Sequence, residues 1–175
     1  MPEKTILDSK QFQKTLNSLV KSIIHDSKKY SNIALVGIQT RGVDIAQRLS
    51  VALSQKLGKK IPVGILDITL YRDDLSQVAE QPIIRDTHIT FSIDKMDVFL
   101  VDDVLFTGRT IRAALSALND LGRPRVTRLV VLIDRGGREL PIQADYVGKK
   151  VVSMPKDNIK VSLKERDGRD GVSVI

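Results

Sequence analysis

The sequence predicts an α/β fold, a mostly parallel β-sheet flanked by helices. Three observations predict it. Short apolar runs, "IALVGI" and "VFLVDD" among them, are of the kind that strands buried on both faces show. Amphipathic segments of helical period lie between them. Polar, glycine-containing stretches follow three of the runs ("GIQTRG", "VDDVLFTGRT", "IDRGGREL"), and an open parallel sheet binds its ligands at such strand ends.

Taken in order, Asp8 is placed to cap a helix that carries Phe12, Leu16, Leu19 and Ile23 on one face. Ile33–Ile38 reads as a buried strand, broken by "QTRG". The next helix turns Ile45, Leu49, Ala52 and Leu53 inward and stops at Gly58. Ile61 to Tyr71 is a second strand candidate, and "DVFLVDD" is a third. "TIRAALSALNDLG" predicts a helix with Ile111, Ala114, Leu115, Leu118 and Leu121 on one side and Gly122 closing it. "RVTRLVVLIDR", "YVGKKVV" and "IKVSL" complete the strands. Residues 71–97 break the alternation. They are polar, contain Pro82, and include "HITFSI", which alternates like a strand. This excursion is expected to be a small flexible hood, with a hairpin as one form it can take, on a single domain spanning 1–175.

Composition narrows the class. Apolar residues make up 42% of 175, enough for a core, but aromatics only 4%, so Val, Ile, Leu and Ala must fill it. With no Cys, disulfides and Cys-based zinc sites are excluded. No apolar run approaches the ~20 residues of a membrane span, and "MPEKTILDSK" lacks a signal core, so a soluble cytoplasmic protein is expected. The net charge of +7 is uneven, with +6 of it in residues 122–166. That basic stretch suits an anionic partner. His25 and His88 fit no catalytic or metal spacing and are expected at the surface.

The chemistry concentrates in "VFLVDDVLFTGRT". Thr107, Gly108, Arg109 and Thr110 stand where a strand gives way to a helix. Unpaired N–H groups there carry partial positive charge, Gly108 lets a ligand approach the backbone, and two hydroxyls add donors, so the loop can cradle a phosphate monoester. Asp102 and Asp103 repel one another at a strand end, and a metal ion or a pair of vicinal hydroxyls would compensate. A ribose 5-phosphate satisfies both requirements.

This pattern resembles the PRPP-binding signature of the type I phosphoribosyltransferases. "LVGIQTRG", "DITLYRDDL", "GRP" and "DRGGRELPIQADYVGK" extend the resemblance to one branch, the pyrimidine operon attenuation proteins that are also uracil phosphoribosyltransferases. It covers about Ile6 to Lys150. The resemblance implies transfer from PRPP to uracil, giving UMP and pyrophosphate, with Mg²⁺ brought by PRPP and Asp102 and Asp103 as its candidate protein ligands. It implies that these two aspartates and Arg72 serve catalysis. Val104, Leu105, Phe106, Thr107, Gly108, Arg109 and Thr110 would hold PRPP or UMP. Thr40, Arg41 and Gly42 would bind pyrophosphate, Tyr71 and Asp73 would flank Arg72 at the hood root, Asp134 and Arg135 would face the ligand, and Tyr146 and Val147 would line the base pocket.

A second implied role is binding of the pyrimidine-operon RNA leader, promoted by UMP or UTP, with Lys21, Arg138 and Lys149 as contacts. Arg123, Arg125, Arg128 and Lys150 could add phosphate contacts. Gln143, Asn17 and Lys21 stand where regulatory members often have Arg, Thr and His. A homodimer or homotetramer is expected. The competing expectations are an enzyme without RNA regulation, acting on another base such as hypoxanthine, and a nucleotide sensor with negligible turnover.

Overall fold

Apolar runs with no polar face have to be covered on both sides, and the computed structural model, which describes residues 4–74, 86–154 and 156–175, meets that demand with two layers around one sheet. Strands β2 (Ile33–Ile38), β3 (Val63–Leu66), β4 (Asp97–Leu105), β5 (Val126–Asp134) and β6 (Tyr146–Lys150) form a five-stranded sheet in the order β3-β2-β4-β5-β6. All four pairings are parallel. Alternate residues feed opposite cores. Leu35, Phe99, Val101, Val130 and Leu132 pack with α1 (Ser9–Asp26) and α2 (Arg41–Leu57). Val36, Val98, Leu100 and Val131 pack with α3 (Arg109–Leu121).

The helices form as their sequence asks. Asp8 accepts the Gln11 N–H at 2.7 Å while the Gln11 side chain accepts the Asp8 N–H at 3.0 Å, a complete capping box. Gly58 ends α2 in the left-handed conformation, with φ 64°. The buried face of α3 runs through Ile111, Ala113, Ala114, Ala117 and Leu118, whereas Leu115 and Leu121 are exposed, against expectation. The small alanines turn inward because they let α3 lie close to the sheet, and the larger Leu115 and Leu121 are left at the rim.

The strand expected over Ile61–Tyr71 stops at Leu66. The Asp67 carboxylate accepts the Thr69 N–H at 2.9 Å and the Thr69 hydroxyl at 2.6 Å, winding a 3-10 turn over Thr69–Tyr71 instead. "HITFSI" keeps its alternation, with Ile93 buried and His88, Thr90 and Ser92 exposed, but it forms only one bridge, between His88 and Ile65. Both histidines are exposed. The Pro82 portion of the expected hood, residues 75–85, lies outside the described residues.

A second, antiparallel sheet was not expected. β1 (Lys4–Leu7) and β7 (Ile159–Ser162) flank β8 (Gly171–Val174), with a single helical turn, α4 (Lys164–Asp167), between β7 and β8. Among the described residues no helix is long and apolar enough to cross a membrane.

The strand order positions the site. From β2 the chain steps outward to β3 and then crosses to β4 on the other side of β2. The loops after β2 and β4 therefore diverge, and a crevice opens between them at the strand C-termini.

Candidate active site

Two loops face each other across that crevice. Gln39 and Thr40 leave β2, and Asp102, Asp103 and Val104 come from the end of β4. With Asp67, Ile68, Thr69, Arg72 and Thr110 they line a cavity of about 400 Å³. A second cavity, about 480 Å³, is lined by Arg72, Asp73, Asp74, Thr107, Arg109 and Thr110. Arg72 and Thr110 belong to both, so the Asp102–Asp103 pair and the Thr107–Thr110 loop adjoin.

Close backbone packing creates this geometry. A Cβ on Gly42 would lie 2.5 Å from the Val101 carbonyl oxygen and 3.2 Å from the Asp102 Cα. A Cβ on Gly37 would lie 2.5 Å from the Val43 Cα. Only glycines let the start of α2 lie against β4 at the residue before the aspartates.

Asp102 is buried. Its carboxylate accepts the Asp103 N–H at 2.9 Å. Burial holds its carboxyl well above the usual carboxylate range, and the neighbouring Asp103 charge adds to this. Asp103 is half-buried and accepts the Val104 N–H at 2.9 Å. The two acids are thus differentiated, one desolvated and one open to the cavity.

The sign of the Asp102 shift gives a stability prediction. An acid whose native pKa is raised binds its proton more tightly when folded. Its ionisation therefore opposes folding, progressively, as pH rises above its ordinary 3.8 toward the native value. Asp102→Asn, which cannot ionise, should melt higher than wild type at about pH 8 in metal-free buffer, and the gap should close near about pH 4. Calorimetry at the two pH values checks this; a gap independent of pH would contradict it.

The Thr107–Thr110 loop lies where β4 gives way to α3, as expected. Gly108 adopts φ 93° and starts α3 without a side-chain cap. The Arg109 N–H reaches the Thr107 hydroxyl at 3.3 Å. The cationic groups around it are already paired. Arg72 grips Asp74 with two bonds of 2.8 and 2.6 Å, and Arg109 spans from Asp73 to Glu139 at 2.6 Å each. The Thr69–Tyr71 turn is tied to α3, since the Tyr71 hydroxyl donates to Asp120 at 2.6 Å and Arg112 donates to the Tyr71 carbonyl at 2.6 Å. Asp67, Asp74 and Glu139 had not been expected here. Asp67 and Asp74 were visible in "DITLYRDDL", where the strand reading masked the first.

Other expected residues serve the scaffold. Arg135 is buried, donates to the Asp157 and Met154 carbonyls at 2.8 and 2.9 Å, and lies 4.0 Å over the Phe106 ring, so it staples a loop rather than facing a ligand. Arg138 pairs with Asp134 at 2.7 Å and donates to the Ile142 and Phe106 carbonyls at 2.9 and 2.8 Å, which commits most of its guanidinium to the fold. Asp134 also accepts the Gly136 N–H at 3.0 Å.

Tyr146 is not in a base pocket. It starts β6 level with Val130, short of the ligand end, and packs 5.7 Å from Phe99. Its hydroxyl donates to Asp26 at 3.0 Å and meets the Tyr30 hydroxyl at 3.3 Å. Val147 likewise lies beside a groove of about 620 Å³ against α1, which also contains Lys21, Ser22, His25, Asp26 and Asp145. Lys149 is exposed and reaches the Ile6 carbonyl at 3.3 Å. Arg41 pairs with Asp167.

A Mg²⁺ ion suits this donor set only together with a substrate. Among the described residues no group of three or more potential ligands converges. Two adjacent carboxylates, one of them buried and the other open to the cavity, fit an ion that keeps waters and phosphate oxygens in its shell.

Residues 3–166 match the Phosphoribosyl transferase domain family. The "Bifunctional protein PyrR" of Deinococcus deserti is 53% identical over 173 residues, covering 99% of this chain and 94% of the relative. That of Clostridioides difficile is 47% identical over 175 residues, covering 99% of each. A hypoxanthine phosphoribosyltransferase from Trypanosoma cruzi, solved as a ternary substrate complex, superposes with a TM-score of 0.76 at 20% identity, covering 98% of this chain and 94% of the other.

Proposed function

The chain belongs to the phosphoribosyl transferase domain family, among the bifunctional PyrR proteins, and on that footing we propose that it transfers the phosphoribosyl group of PRPP to uracil, yielding UMP and pyrophosphate, and that it also regulates pyrimidine genes by binding their RNA leader. The observation that carries the enzymatic reading is the meeting of Asp102, Asp103, Thr110 and the Gln39–Thr40 loop around one cavity of about 400 Å³. That cavity has room for a ribose between a phosphate cradle and a pyrophosphate loop.

The bond between the anomeric carbon and pyrophosphate breaks with oxocarbenium character, and the uracil nitrogen takes its place. No protein nucleophile is required. The N–H groups at the start of α3, with Thr107 and Thr110, hold the 5-phosphate. Asp103 accepts from the ribose hydroxyls and favours positive charge on the ring. Arg72 neutralises the leaving pyrophosphate. Mg²⁺, when bound with PRPP by Asp102 and Asp103, supplies further charge neutralisation on the pyrophosphate. Closure over the crevice excludes the water that would hydrolyse PRPP.

The RNA role is supported by basic groups away from the crevice. Lys21 and Lys149 are exposed, Arg125 and Arg128 reach the surface while ion-paired with Asp97 and Asp145, and Asn17 and Gln143 are also exposed. The test of both roles uses the purified protein. With uracil, PRPP and Mg²⁺ it should form UMP and pyrophosphate, and hypoxanthine in place of uracil should give no nucleotide. Nucleotide from hypoxanthine alone would move the activity to purines. RNA leader binding that UMP strengthens is expected, and binding indifferent to UMP would leave an enzyme with a basic face.

A further inference from the structure

We infer that Asp167, in the C-terminal turn, is a positioning residue that holds Arg41 at the pyrophosphate loop. The inference rests on the phosphoribosyltransferase reading above.

Arg41 opens α2 immediately after the Gln39–Thr40 loop that lines the reaction cavity. A cation at a helix N-terminus faces the positive end of the helix dipole. It needs a counter-charge to stay, and Asp167 is that charge. Arg41 Nη2 meets the two Asp167 carboxylate oxygens at 3.2 and 3.3 Å. Its Nε is buried with no hydrogen-bond partner among the described residues. The guanidinium is therefore tethered through Nη2 with Nε turned into the protein, which leaves Nη1 as the charged donor that a pyrophosphate oxygen can meet.

The anchor is itself fixed. Asp167 accepts the Leu163 N–H at 2.8 Å, and this backbone bond, with Arg41, holds its carboxyl below the usual range. The turn that carries it is clamped to α2 twice more. Arg48 donates from Nε to Glu165 at 2.8 Å and from Nη1 and Nη2 to the two Asp170 oxygens at 3.0 and 2.8 Å, while Arg166 pairs with Asp44, which is buried in the first turn of α2. The segment between β7 and β8, far away in sequence, thus belongs to the pyrophosphate subsite.

The test measures PRPP and pyrophosphate separately from UMP, which has no pyrophosphate to contact the loop. Asp167→Asn keeps an acceptor for the Leu163 N–H but loses the charge. It should raise the KM for PRPP and the inhibition constant for pyrophosphate about tenfold, the worth of one charge-assisted contact. UMP affinity, measured by calorimetry, should not change, and this also certifies the fold. Asp167→Glu should recover part of the loss, and in an Arg41→Ala background Asp167→Asn should add nothing. Unaltered pyrophosphate inhibition overturns the inference, as does an equal loss of UMP affinity, which would reveal a merely structural role. Wild-type protein that forms no UMP would instead overturn the enzymatic reading beneath it.

Discussion

Asp103→Asn is expected to lower kcat for UMP formation about 100-fold or more, while the melting temperature stays at the wild-type value. The side chain is half-buried and opens on the cavity, so the core does not depend on it. Its one hydrogen bond, to the Val104 N–H, can be kept by the asparagine carbonyl oxygen. What disappears is the negative charge beside the ribose, which acts on the transition state more than on bound PRPP. The KM for PRPP should therefore rise much less than kcat falls. Steady-state kinetics beside a thermal melt decides the matter, and wild-type turnover in the variant would remove Asp103 from the mechanism.

The second large effect comes from a single methyl group. In Gly42→Ala the new Cβ meets backbone atoms of β4, the Val101 carbonyl oxygen at 2.5 Å and the Asp102 Cα at 3.2 Å. A backbone strand at the centre of a sheet cannot yield as a side chain can. The start of α2 must move instead, taking the Gln39–Thr40 loop with it. We expect a stability loss of about 3 kcal/mol, the upper end for overpacking, and loss of measurable PRPP turnover. Chemical denaturation and the uracil assay test both, and a variant as stable and active as wild type would show the contact to be dispensable.

Legibility in the sequence followed the range of the forces involved. β2 and β4 could be read because strands covered on both faces must be apolar throughout, and the Asp8 cap because its bonds span three residues. The phosphate cradle was legible for the same reason, since Thr107 to Thr110 are contiguous. β1 and β8 were not, because four-residue strands at opposite ends of the chain acquire their pairing only from each other. Tyr146 was assigned to a base pocket by the resemblance to the pyrimidine branch. Its place in the register instead sends it into the core beside Phe99 and Tyr30. Arg138 looked like a surface charge because composition counts cations without counting the carbonyls that converge on them. Asp167 was invisible because its partner lies 126 residues away.

The pairing of Arg72 and Arg109 bears on how the site fills. Both guanidiniums at the cradle hold internal carboxylates, from Asp73, Asp74 and Glu139. A phosphate that claims them does not neutralise bare charge; it trades places with counter-ions the protein already carries. Net attraction is then a difference between two sets of ion pairs, and discrimination shifts from total charge to geometry, favouring a dianion that reaches both arginines and the α3 amides at once. Exchange at the cradle therefore parts Asp73 from Arg109, so filling the site undoes the tie between Asp73 and the first residue of α3.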